Sequence, residues 1–328
     1  MTTGGAVLQQ EIIQAEAAQF LGYLNLAKSI PALFATLFIC TLSDVFGRKM
    51  GLFLPSIGGL ANSLVWAYVV YFEKSMNILY IGCVIDGMLG SYITLQSATY
   101  AYLADVTSTD RRSLRFVSAI GVVFVATGLA NVAVGYTIAY LGYLNSFYLV
   151  AMMFGIAGLH VLVFLPESCA SLTKIRFSVA YTCKRAVSVF SMYFRRGDPG
   201  TSATKLRFLL IVFVFESLIA LGRNDVDLLY IVGTPFCWTS VMVGYFQASG
   251  FLLKAVAGFL LIPVMQLWMS SCSISFIGCA LGVAGSVVMT VADTSYMLWT
   301  GKTPASSGGH DGGRGVVAMT STSSVPRV

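Results

Sequence analysis

The chain has 328 residues, of which 57% are hydrophobic and only 10% charged, and it carries a net charge of +6 at neutral pH. Soluble globular domains carry about 25% charged residues, so a water-soluble globule is excluded. The excess of Lys and Arg follows membrane sidedness rather than a nucleic-acid surface.

A bilayer core about 30 Å thick takes roughly 20 apolar residues per helix. Backbone groups in lipid are satisfied internally, which only helices or closed barrels achieve. The apolar runs here are long, continuous and non-alternating, which excludes a barrel. The expectation is an all-α polytopic membrane protein with about eight transmembrane helices.

Residues 1–18 form a polar lead ahead of the first span, 19–42. That span ends in Ser43-Asp44-Val45-Phe46-Gly47-Arg48-Lys49. Gly47 permits a tight turn at the membrane surface, Asp44 closes one span, and Arg48 and Lys49 anchor the next at the headgroups. Taken alone, these residues read equally well as an ordinary basic loop. The second span is expected over 51–72 and the third over 77–103. The third carries Asp86, Gly90, Thr94, Ser97 and Ala101 at helical spacing, which gives it one small, polar face. That face either lines a solute cavity or packs closely against another helix. It ends in Ala104-Asp105-Val106, and Arg111, Arg112 and Arg115 follow before the fourth span, 116–138. There Gly121, Gly128 and Gly135 recur every seven residues, which predicts a close helix-packing seam.

The fifth span, 145–165, runs into Pro166-Glu167-Ser168 and a basic connection over 166–205. The sixth, 206–222, carries Glu216, and the seventh, 238–263, carries Lys254. The eighth lies at 272–292, and residues 293–328, rich in Gly, Ser and Thr, are expected to be a disordered tail. Ionisable residues inside spans cost about 2.5–3.5 kcal/mol each on insertion scales. Asp86, Glu216 and Lys254 are therefore expected on a substrate or proton pathway, together with Thr94 and Ser97. Lys28 and His160 lie nearer the ends of their spans. Thirteen of the twenty Lys and Arg residues fall in the loops after spans one, three and five, which places those loops in the cytoplasm. The domain expectation is a first half of five spans over 19–165, a cytoplasmic linker over 166–205 and a partial second half of three spans over 206–292.

The Asp44-x-x-Gly47-Arg48-Lys49 loop resembles the signature loop after the second helix of the major facilitator superfamily. The Ala104-Asp105-Val106 run with Arg111, Arg112 and Arg115, and the run Pro235-Phe236-Cys237-Trp238, are similar to the proton-coupled folate transporter family (solute carrier family 46). The resemblance covers about residues 20–298. By motif position the first span matches the family's second helix and the eighth its ninth. It therefore implies a partial major facilitator fold that lacks the first helix and the last three, and a gating loop formed by Asp44, Gly47, Arg48, Lys49, Asp105, Arg112 and Arg115. It also implies secondary active transport of a small, anionic, folate-like solute by alternating access, with protons as the coupling ion and the plasma or endolysosomal membrane as the location. The folate-transporting branch carries acids near the positions of Ser91 and Ile120, and this chain does not.

No catalytic constellation and no Cys or His pair with metal spacing occurs, so no enzyme activity, metal or cofactor is expected. The expected partners are solute, protons and the lipid bilayer, not nucleic acid. With helices missing, self-association or a partner chain is a further expectation. The competing reading is a non-transporting membrane fragment that binds or regulates, or an incomplete gene model.

Overall fold

The computed structural model describes residues 3–108, 112–167, 226–233, 236–261 and 271–302, with isolated positions between 207 and 215 and between 264 and 269. The described residues are almost wholly helical. Helix α1 is Thr3–Phe46, α2 is Arg48–Tyr71, α3 is Leu79–Met88, α4 is Ser91–Val106 and α5 is Arg112–Val163. A helical stretch over 226–232 precedes α6, Ser240–Val256, which runs on as a π-helical turn over Ala257–Leu261. Helices α7, Ser271–Thr290, and α8, Ser295–Gly301, complete the set.

Among the described residues, five runs are long and apolar enough to cross a membrane: Ile12–Ser43, Arg48–Tyr71, Met76–Val106, Arg115–Val163 and Ser240–Leu261, with a shorter apolar helix at Phe276–Thr290. The fourth run covers two of the expected spans. Gly142 adopts a left-handed φ of 78° inside α5 and breaks it into two limbs, a conformation that glycine reaches without a side-chain clash. The span expected at 206–222 lies mostly outside the described residues. The polar lead expected over 1–18 is continuous with α1 from Thr3 onward. Residues 295–301, inside the stretch expected to be a tail, form α8, where Leu298 is fully buried. Large apolar side chains such as Phe34, Leu129, Met153 and Phe276 remain exposed on the helix flanks, as lipid-facing surfaces require.

Contacts group the chain into two compact units: residues 15–108 with 140–195, and residues 1–14, 109–139 and 196–328. In the first unit, α2 is the central packing element. Its Gly51, Gly58 and Gly59 are buried, and a Cβ on Gly51 would sit 3.0 Å from that of Ala98. Small residues bring helix axes together where lipid supplies no hydrophobic drive. Ser56 and Ser63 donate to the Leu52 and Gly59 carbonyls one turn back, at 3.0 and 2.8 Å, so their hydroxyls are satisfied within the helix. Trp66 stacks on Phe147 of the second limb of α5, ring centroids 5.4 Å apart.

In the second unit, the glycine ladder of α5 meets α6. Gly128 faces Leu252, and Gly135 lies against the Ser240 carbonyl and Gly244. Tyr136 and Tyr245 close one end of the contact with hydroxyls 2.6 Å apart. Ile231, Phe246, Met289, Ala292 and Leu298 form its core, with Trp238 and Trp299 packed around Phe246. Lys302 closes this unit, its ammonium 3.8 Å from the Phe246 ring centroid and donating to Gln247 at 3.1 Å.

Candidate gating and in-span sites

Gly47 is the one non-helical residue between α1 and α2. It adopts φ 113° and ψ 148°, a region closed to L side chains by steric clash. The sharp reversal starts α2 at Arg48 with its first N–H groups unpaired within the helix. Glu167, just past the second limb of α5, accepts from the Arg48 N–H at 2.6 Å. A carboxylate at that place also meets the positive end of the helix dipole. The Arg48 side chain turns the other way and donates through Nε to Asp105, at the end of α4, at 2.7 Å. Tyr102 donates to the Pro166 carbonyl at 3.1 Å and fixes the strand of chain that carries Glu167. Three helix ends, of α2, α4 and α5, are thus tied by one arginine and two acids.

The residues expected in the gating loop divide as follows. Gly47, Arg48 and Asp105 are together in this network. Lys49 is half-buried beside it, and Arg115 is exposed on α5. The side chains of Asp44 and Arg112 lie outside the described residues. Glu167 was not expected here, because in sequence it reads as a lone acid at the start of a basic linker. The Arg48–Asp105 pair is only partly screened from water, with side chains 16% and 31% exposed. A double-mutant cycle on Arg48→Ala and Asp105→Ala should return a coupling of about 1–2 kcal/mol in detergent unfolding, above the exposed-pair range of about 0.2–1 kcal/mol. Additivity within error would remove the pair from the structural account.

Inside the spans, Asp86 is buried and its Oδ2 lies 2.7 Å from Lys28 Nζ on α1. Glycines create the room. Gly58 of α2 stands opposite the carboxylate, where an added Cβ would come within 3.0 Å of Oδ1, and a Cβ on Gly87 would overlap the Lys28 carbonyl oxygen. Lys28 lies in the middle of the span Ile12–Ser43 rather than near its end, because α1 starts earlier than the apolar run implies. A signal for this pairing was present in the sequence. Lys28 and Asp86 are the one cation and the one acid within the first three expected spans, and charges there are stabilised by one another.

The rest of the expected polar face splits. Thr94 is fully buried with its hydroxyl 2.6 Å from that of Thr36 on α1, whereas Ser97 is exposed. Positive φ at Gly90 and Ser91 separates α3 from α4 and shifts the inward line to Ala98. Asp86 and Thr94 meet α1, and Ala98 meets Gly51 of α2. In the other unit, Lys254 is half-buried with its ammonium 4.7 Å from the Phe251 centroid and 5.6 Å from that of Phe124, a cation–π seat. Glu216 lies outside the described residues. His160 is exposed and stacks on Phe164.

No family model matches the chain. It is 28% identical over 300 residues to the lysosomal proton-coupled steroid conjugate and bile acid symporter of Bos taurus, covering 90% of this chain and 64% of that protein. The Homo sapiens counterpart is 26% identical over 302 residues, with the same coverage. The proton-coupled folate transporter of Bos taurus is 25% identical over 279 residues, covering 85% of this chain and 60% of that protein. The chain thus spans about 60–64% of the length of these relatives, which are transporters and not enzymes. The crystal structure of the human organic anion transporter TETRAN aligns with a TM-score of 0.61, over 93% of this chain and 75% of that one, at 20% identity. That likeness shows the fold, an all-α multi-pass membrane architecture of the major facilitator type.

Proposed function

As a homologue of the proton-coupled solute carrier 46 transporters, the chain is, we propose, a secondary active transporter of a small organic anion driven by protons. The observation that carries this reading is the set of charged side chains inside membrane spans. Asp86, Lys28 and Lys254 each face an insertion cost of about 2.5–3.5 kcal/mol at a helix centre. A bundle held together for structure alone gains little from such groups, whereas a proton and an anion need them. The relatives' names supply the solute classes: folates for one, steroid conjugates and bile acids for the other. The lack of acids at Ser91 and Ile120 favours the steroid-conjugate class over folate.

The network of Arg48, Asp105 and Glu167 fits a gate, because ion pairs between helix ends form and break as the two states exchange. In this reading the Arg48 end faces the cytoplasm with the basic loops, and the membrane is endolysosomal or plasma. Proteoliposomes holding the 328-residue chain, with an acidic exterior, should take up a sulfated steroid saturably, and a protonophore should abolish the uptake. Binding without proton-driven uptake would instead support a non-transporting membrane protein.

A further inference from the structure

Resting on that reading, we propose that Lys28 and Asp86 form an exchange site that couples the proton to the anion. When Asp86 takes up a proton its carboxylate becomes a neutral carboxylic acid, and Lys28 loses its counter-ion. The anionic group of the solute then replaces Asp86 as the partner of the Lys28 ammonium. No covalent bond forms, and the proton rests on an Asp86 oxygen. The site is neutral when empty, one ammonium against one carboxylate. It is neutral again when loaded with one proton and one monovalent anion.

The geometry carries the exchange. The two partners are unequally placed: the Asp86 side chain is 5% exposed, whereas the Lys28 side chain retains 35%. In the proposed exchange the anion therefore approaches the lysine rather than the acid. The acid sits where its neutral form is well housed. Gly58 leaves space beside Oδ1, and Asn62, one turn further along α2, faces α3 with its side-chain oxygen buried and without a donor among the described residues. An acceptor left without a donor in an apolar interior is costly, and it stands along the α2 face that meets the Asp86 helix.

Competing groups are few among the described residues. The element α1 contributes Lys28, and α3 contributes Cys83, buried one turn before Asp86. The titratable side chains of α2 sit away from the pair, with Arg48 and Lys49 at its start and Tyr68 and Tyr71 near its end. The start of α4 turns Ser91 and Thr94 inward and leaves Tyr92 exposed. One proton and one anion thus contend for one lysine.

The test uses the 328-residue chain in lipid nanodiscs and a sulfated steroid, whose sulfate ester stays ionised across the range, with the unsulfated parent steroid as control. Affinity for the sulfate should rise as pH falls, by up to about tenfold per unit, one proton per anion. Asp86→Asn should bind with an affinity that does not change with pH. Lys28→Gln should bind at least tenfold more weakly at acidic pH, while Lys28→Arg keeps both affinity and slope. Lys28→Arg also separates loss of the exchange from loss of folding, because it preserves the charge. The infrared carbonyl band of a protonated carboxylic acid, absent in Asp86→Asn, reports the proton independently. A wild-type pH slope in Asp86→Asn, or wild-type affinity in Lys28→Gln, overturns the exchange and leaves anion transport standing. Failure of the wild-type chain to bind the sulfate at a pH where that band shows Asp86 protonated overturns the anion reading and the exchange with it.

Discussion

Gly87→Val should unfold at markedly lower temperature in detergent than the parent chain, with a loss of about 3 kcal/mol or more. The atom that a Cβ at position 87 would meet is the backbone oxygen of Lys28, with the Lys28 carbonyl carbon and a Pro31 ring carbon each at 3.2 Å. A flexible side chain yields to such an intrusion, but a helix backbone moves only as a unit. Overpacking alone costs about 1–3 kcal/mol. The displacement also pulls Lys28 from Asp86, the residue beside Gly87, and separating a buried pair costs about 3–5 kcal/mol when one charge is left behind. Gly22→Val on the same α1 is the control, because nothing lies within 4 Å of a Cβ there. Equal stability of the two variants would refute the close contact of α1 with α3.

Gly47→Ala should destabilise the chain by about 2–4 kcal/mol and lower any transport rate with it. Two terms add. The backbone at φ 113° costs a non-glycine residue about 1–3 kcal/mol. The new methyl would also stand 2.5 Å from a Glu167 carboxylate oxygen. The glutamate then leaves the Arg48 N–H, a charge-assisted hydrogen bond worth about 1.5–3 kcal/mol, part of which water restores. Glu167→Gln removes the charge but not the acceptor and should cost well under half as much. If Gly47→Ala and Glu167→Gln behave alike in thermal unfolding, the backbone strain is absent and only the cap matters.

The apolar helices among the described residues were legible because lipid imposes one requirement, a continuous apolar helix, and sequence displays it directly. The second span expected at 51–72 corresponds to Arg48–Tyr71, and the glycine ladder of the fourth meets α6 as its seven-residue period implies. What was not legible depends on chain breaks and on distant partners. The polar face drawn from Asp86 through Ser97 assumed one unbroken helix, but positive φ at Gly90 and Ser91 shifts the register and leaves Ser97 outside. Glu167 acquires its role only because the second limb of α5 returns to the start of α2. The apolar run at 296–299 is too short to register as a span, yet it buries Leu298 and brings Trp299 against Phe246.

The bond between Lys28 and Asp86 also sets a schedule for the making of the protein. Helix α1 leaves the ribosome carrying a lysine at mid-span, and its partner lies beyond the whole of α2. At synthesis rates of about 5–20 residues per second, the roughly 60 residues between them take about 3–12 s to appear. Throughout that interval the unpaired lysine adds a penalty of about 2.5–3.5 kcal/mol to holding α1 in the hydrocarbon interior. That penalty favours α1 remaining beside the insertion channel until α3 supplies Asp86. A ribosome stalled before residue 86 leaves α1 within reach of a crosslinker on the channel, and one stalled well after it does not.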